Sequence, residues 1–193
     1  MRYYYPCKPN RIAPDSPFFT ELDNDIRWIA EVKKNGWRCL AQKDGMELTL
    51  MTRHNTLIVE PLAELRKTLF EMMPDRTVVD GELINNRTKD IKGVYYIFDI
   101  LVHDGELLFE LPLEKRRVIL ERIVYRGVPS IELAEQFRLG KKTLYAKVIA
   151  ESEVNEGIVI KKLDSRYVAS PARCQQHPHW LKVKRPEKHL FQK

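Results

Sequence analysis

Trp28, Ala30 and Val32 alternate with Ile29, Glu31 and Lys33, the period-two pattern of a half-buried strand. Asn35-Gly36 follows, a dipeptide suited to positive φ, and Trp37, Cys39 and Ala41 then alternate with Arg38, Leu40 and Gln42. A tight hairpin is predicted, with Lys33 at its rim on the same face as Glu31. Lys43-Asp44-Gly45 turns the chain into a third strand carrying Met46, Leu48 and Leu50 and ending in Thr52-Arg53-His54-Asn55. From Pro61 the spacing becomes helical, with Leu62, Leu65, Leu69 and Met72 on one face.

Thr77 to Ile84 returns to strand periodicity with Asp80 and Glu82 on one side, and residues 93–101 form an apolar strand interrupted by Asp99. His103-Asp104-Gly105 is a turn, and Pro112 opens an amphipathic helix whose Glu114, Lys115, Arg116 and Arg117 suit a solvated face. A short strand near 130–135, a helix near 141–151, a strand at 157–160 and a last strand at 180–185 complete the pattern. Prolines at 6, 9, 14 and 17 mark residues 1–25 as an irregular arm laid over a domain of residues 26–193. This succession predicts an α+β fold of mainly antiparallel sheets with flanking helices.

The 193 residues suffice for a buried core, and the net charge of +6 is a mild excess compatible with a polyanionic partner. Three widely spaced cysteines argue against a disulfide framework and for a reducing compartment. No apolar run reaches membrane-spanning length and no signal peptide opens the chain, so a soluble cytoplasmic protein is expected. Cys174, His177 and His179 have a metal-like spacing, but no fourth ligand lies near in sequence and Pro178 splits the histidines.

Charged side chains inside apolar strands are costly unless paired or used. Lys33, Glu82, Asp99, Glu156, Lys182 and Lys184 are such residues here. Carboxylates and lysines lining one cleft suit a magnesium-bound nucleotide, the former for metal and the latter for phosphate.

The order of the short motifs goes further. Lys33-Lys34-Asn35-Gly36 with Arg38, Thr52-Arg53-His54-Asn55, Asp80-Gly81-Glu82-Leu83, Phe98-Asp99-Ile100-Leu101, Glu156-Gly157-Ile158-Val159-Ile160-Lys161 and Trp180-Leu181-Lys182-Val183-Lys184 follow one another along nearly the whole chain. Together they resemble the nucleotidyltransferase (adenylation) domain shared by ATP-dependent DNA ligases, RNA ligases and mRNA capping enzymes. Leu111-Pro112-Leu113-Glu114-Lys115-Arg116-Arg117 and Leu163-Asp164-Ser165-Arg166-Tyr167 resemble the DNA-ligase branch. Asn35 stands where the family usually has aspartate. The chain ends nine residues after Lys184, where most relatives continue into an OB-fold domain. A minimal enzyme, a fragment of a longer protein, and a chain borrowing a clamp from a partner protein or separate domain are all compatible with that.

The resemblance implies a monomer that seals nicks in duplex DNA, or in RNA, using ATP and magnesium or manganese. A remnant that binds nicks or ends without turnover is the non-enzymatic alternative. In this picture Lys33 is the nucleophile that takes up AMP, with Lys182 and Lys184 at the α-phosphate. Glu31 helps select adenine, Val32 belongs to the nucleotide-binding set, Phe98 stacks on the base, and Arg38 and Glu82 hold the ribose side. Glu82 and Glu156 take the metal, Arg53 engages nucleotide and DNA, and Arg173 is a further DNA contact. Lys34 is expected at the surface, facing away from Lys33.

Overall fold

The computed structural model describes residues 2–60, 62–84, 93–125, 127–151 and 155–186. It is built from two sheets. The first holds β1 (Lys8–Arg11), β10 (Gln176–Lys184), β9 (Asn155–Lys162) and β2 (Trp28–Lys34), in that spatial order. The second runs β4 (Glu47–Thr52), β3 (Trp37–Asp44), β5 (Thr77–Ile84), β6 (Val94–His103), β7 (Glu106–Leu107), with β8 (Ile131–Leu133) also on β6. Among the described residues, only β1 with β10 and β6 with β8 pair in parallel.

Period-two alternation sorts each inner strand between two cores. On the first sheet Trp28, Ala30, Ile158, Ile160, Leu181 and Val183 pack against α1 (Pro17–Leu22) and α4 (Lys141–Glu151). On the second, Cys39, Ala41, Val79 and Leu83 pack beneath α2 (Ala63–Met72) and α3 (Leu113–Ile123). The opposite faces meet in a third core at the seam between the sheets, where Ile29, Leu40, Val78, Leu101, Tyr167 and Trp180 are buried.

Two expectations change here. β2 pairs with β9 while β3 pairs with β4 and β5, so Asn35-Gly36 closes no hairpin but carries the chain from one sheet to the other. Neither residue has positive φ. Gly36 serves close approach instead, because a Cβ there would meet the Leu83 carbonyl at 2.5 Å. Positive-φ hairpin turns lie at Gly45 (φ 59°), between β3 and β4, and at Asp104 (φ 49°) and Gly105 (φ 85°), between β6 and β7. The stretch expected to be irregular also holds β1 and α1, whose Phe19 and Leu22 are buried. Pro61, the expected helix opener, lies outside the described residues.

The seam is held by two buried charge centres. Arg116, fully buried rather than solvated, donates Nε (2.8 Å) and Nη2 (2.9 Å) to Asp99. Its Nη1 donates to the carbonyls of Leu111 (2.6 Å) and Ser165 (3.2 Å). Asp80 accepts both arms of Arg38 and the Tyr167 hydroxyl (2.7 Å). Tyr167 and Ser165 follow β9 of the first sheet, whereas Asp80 and Asp99 lie on the second, so both centres tie the sheets together.

Candidate active site

Beyond the seam the sheets diverge into a cleft of about 920 Å³. Glu31, Val32, Lys33, Lys161, Lys182 and Lys184 line it from the first sheet, and Arg38, Glu82, Tyr96 and Phe98 from the second. Register explains the first wall. Lys33 pairs with Gly157 and Gly157 with Lys184, so the two lysines flank a residue without a side chain. Gly157 has φ 141°, and a Cβ there would meet the Val183 carbonyl at 2.0 Å. Strict alternation would put Glu156 on the α4 side with Ile158 and Ile160. The unusual φ at Gly157 and the register shift between Lys33 and Lys34 break that alternation, and Glu156 reaches the cleft.

One carboxylate oxygen of Glu156 lies 2.7 Å from Lys33 Nζ and 2.8 Å from Lys184 Nζ. Burial raises the pKa of this carboxyl, but the hydrogen bonds from Lys184 and Lys33 outweigh it and hold it below the usual range. Glu82 goes the other way: burial dominates and raises it, against Lys33, Arg38 and the Gly36 amide, with Glu156 adding to the rise. Lys182 is lowered by burial and by the charges of Lys184, Lys33, Arg11 and Lys8.

Deeper in, Lys161 is buried between Phe98 and Trp180, its Nζ 4.5 and 4.4 Å from the ring centroids, and it pairs with Glu31 at 2.6 Å. The other Glu31 oxygen accepts from Gln136 Nε2 at 2.9 Å. The Arg38 guanidinium also lies 4.5 Å from the Phe98 centroid. Lys161 closes one of the quoted motifs but is given no role there, and Gln136 is not singled out at all. Lys161 does break the apolar run Ile158-Val159-Ile160, but Gln136 has no local signal and is found only once the chain folds.

Every residue expected at the nucleotide lines this cleft, including exposed Arg53. Arg173 does not; it is exposed on the loop beside it, while its neighbour Cys174 reaches the wall. Lys34 is a correction, since it is half-buried against Tyr96, 4.4 Å from the ring centroid, and lines the cleft. The bulge after Lys33 turns it inward.

Among the described residues no cluster of three or more metal-ligating side chains occurs. His177 is structural: Nε2 faces the Arg166 carbonyl at 2.8 Å, Nδ1 accepts from the His179 amide, and the ring stacks on Trp180. Burial, only partly offset by the Arg166 carbonyl, pushes its pKa from 6.5 to about 4, with His179, Arg116 and Lys161 adding to the fall. Between those values the unfolded chain binds the proton and the folded chain does not. Stability is therefore expected to fall as pH drops from 6.5 towards 4. A His177→Gln variant should lose less melting temperature than its parent between about pH 7 and about pH 4.5; equal losses would assign the acid limb to other groups.

The profile described as ATP dependent DNA ligase domain matches residues 84–184, just over half of the chain. The chain belongs to the ATP-dependent DNA ligase family. Among its relatives, the SPbeta prophage-derived DNA ligase-like protein LigB of Bacillus subtilis is 29% identical over 177 residues, 83% of this chain and 62% of the relative. The multifunctional non-homologous end joining protein LigD of Pseudomonas aeruginosa is 26% identical, covering 91% of this chain and 22% of that protein. The structure of a mycobacterial DNA ligase D complexed with ATP and MES matches at 25% identity and TM-score 0.61, over 81% of this chain and 54% of that one. The chain thus spans less than two thirds of the length of these relatives. The fold is that of a ligase nucleotidyltransferase domain, as the motif order implied. Among the described residues no helix is long and apolar enough to cross a membrane.

Proposed function

We propose that this chain is the adenylation unit of an ATP-dependent DNA ligase that seals 5′-phosphate/3′-hydroxyl nicks through a lysyl-AMP intermediate. The observation that carries this is the row Lys33–Glu156–Lys184, with Lys182 beside it, at the mouth of a cleft between two sheets in a member of the ligase family. Lys33 Nζ attacks the α-phosphate of ATP, forming an N–P bond as pyrophosphate leaves. The AMP passes to a DNA 5′-phosphate, and the 3′-hydroxyl displaces it to form the phosphodiester. Lys182 and Lys184 bear on the charge that develops at the α-phosphorus. Glu31, fixed by Lys161 and Gln136, stands beside Phe98 at the base end of the cleft.

Two cleft carboxylates, Glu82 and Glu156, suit magnesium or manganese, which take one or two carboxylates and complete their shell with phosphate oxygens and water. Burial raises the Glu82 carboxyl, and a cation bound beside it would offset that desolvation. When bound there, the ion would neutralise charge on the phosphates. Arg53, exposed at the cleft mouth, is the cation offered to the nick's 5′-phosphate.

The test is incubation with magnesium and ATP labelled at the α-phosphate, followed by a chase with nicked DNA, a DNA–RNA hybrid or single-stranded RNA. Acid-labile label that leaves the chain for nicked DNA supports the reading. Preferential transfer to RNA makes the chain an RNA ligase. No label, together with no sealing of a pre-adenylylated nick, leaves a binding remnant.

A further inference from the structure

The base end of the cleft is crossed by a short strap that none of the quoted motifs reaches. Residues 134–137 leave β8 on the second sheet and pass to β2 of the first, with Ala134 and Glu135 lining the cleft. The Ala134 amide donates to the Ile97 carbonyl at 2.8 Å, and Phe137 exchanges both backbone hydrogen bonds with Ala30, at 2.8 and 2.9 Å. Each anchor sits one residue from a base-end side chain, Phe98 on one wall and Glu31 on the other. The Ala30–Phe137 bridge is antiparallel, so the next positions along it, Glu31 and Gln136, are cross-strand neighbours on one face. Gln136 Nε2 donates to Glu31 Oε1 at 2.9 Å, and Lys161 Nζ holds Oε2 at 2.6 Å. An ionised carboxylate only accepts hydrogen bonds, and here each oxygen is already engaged once. A base arriving beside Phe98 therefore meets an acceptor with half of its lone pairs taken.

We infer that Gln136 is a positioning residue that sets base selectivity. By holding one Glu31 oxygen it leaves the slot able to take a single amino donor, which favours adenine over guanine. This rests on the ligase reading of the cleft. Adenine presents one exocyclic amine beside an unprotonated ring nitrogen. Guanine presents N1–H next to its 2-amino group, a two-donor fork that pairs best with a carboxylate free at both oxygens. Gln136 spoils that match on one oxygen and Lys161 on the other, while one remaining lone pair suffices for the adenine amine. Without the Gln136 amide, Oε1 is released, the carboxylate can turn about its last bond, and the guanine fork gains an edge to bind. The difference is of the size of one hydrogen bond to a charged group. Gln136 acts only through Glu31, so its effect is confined to the base and leaves the phosphate end unchanged.

Equilibrium binding of ATP, GTP, ITP and inorganic tripolyphosphate to the parent and to Gln136→Met tests this, with melting temperatures measured alongside. Methionine keeps the length and volume of the side chain but cannot donate. The parent should favour ATP, and in the variant the ATP-to-GTP affinity ratio should fall about tenfold with tripolyphosphate binding unchanged. ITP, which has N1–H but lacks the 2-amino group, should gain less than GTP. Gln136→Asn, whose amide stops one methylene short of Glu31, is the second variant and should lose selectivity as well. An unchanged ATP-to-GTP ratio in the variants overturns the proposal, and so does a parent that binds the two nucleotides alike. A parallel loss of ATP and GTP binding with a lowered melting temperature also overturns it, because the strap is then a structural tie only. Failure of the ligase reading registers separately, as absence of Lys33 labelling in a parent whose binding still favours ATP.

Discussion

Lys33→Ala is expected to take up no AMP from α-labelled ATP, against an acid-labile label on the parent. The effect is all-or-none because the intermediate is a bond to that nitrogen, and no neighbouring charge substitutes for a missing nucleophile. Lys33→Arg should fail equally, since it keeps the cation beside Glu156 but offers no amine that can lose its proton. The two variants together separate nucleophilicity from charge. Neither should unfold the protein. The Lys33 side chain is 21% exposed, and Glu156 keeps Lys184 at 2.8 Å, so the expected loss is within about 1 kcal/mol. Sealing of a pre-adenylylated nick should survive in Lys33→Ala, because the nucleophile of that step is the DNA 3′-hydroxyl. Label persisting on Lys33→Ala would overturn the assignment. Peptide mapping would then look first at Lys184, which shares the same carboxylate oxygen.

What the sequence disclosed and what it hid follow from the range of the interactions. Alternation and helical spacing located the strands around Lys33, Glu82 and Lys184, because each is a local pattern with a period set by backbone geometry. The partners of those strands were not local. Asn35-Gly36 has the composition of a hairpin turn, yet Gly36 is there because the Leu83 carbonyl passes 2.5 Å from where a Cβ would stand. No turn rule contains Leu83. Residues 1–25 looked irregular because a four-residue strand and a six-residue helix are too short to establish a period. Lys34 was placed at the surface by ideal alternation, which the bulge at Lys33 breaks. Charges in apolar strands correctly flagged the cleft, but the same rule could not sort Glu156, which faces the cleft, from Asp99, which does not.

Asp99→Ala separates those two meanings of a buried charge and should be the most damaging single change to stability. Both Asp99 and Arg116 have fully buried side chains, and the bidentate pair is backed by the Ile100 amide on Asp99. Removing the carboxylate leaves a guanidinium without its counter-ion in the seam, a situation that costs about 3–5 kcal/mol. For a chain of this length that is a fall of about 10 °C or more in melting temperature. Asp99→Asn, which keeps a hydrogen-bond acceptor, should lose less. A paired Asp99→Leu/Arg116→Met exchange should recover much of the loss, because apolar residues of similar volume often replace a buried ion pair without net cost. The physical reason is that the pair's attraction mostly offsets its own desolvation, so its net contribution is small while either half alone is expensive. Asp99 also follows Phe98 in the motif that suggested nucleotide binding, so a role at the cleft is the competing explanation. That role predicts a stable Asp99→Asn protein with weakened ATP binding. The buried pair predicts the reverse: a folded fraction that binds ATP as the parent does, on a scaffold that melts earlier.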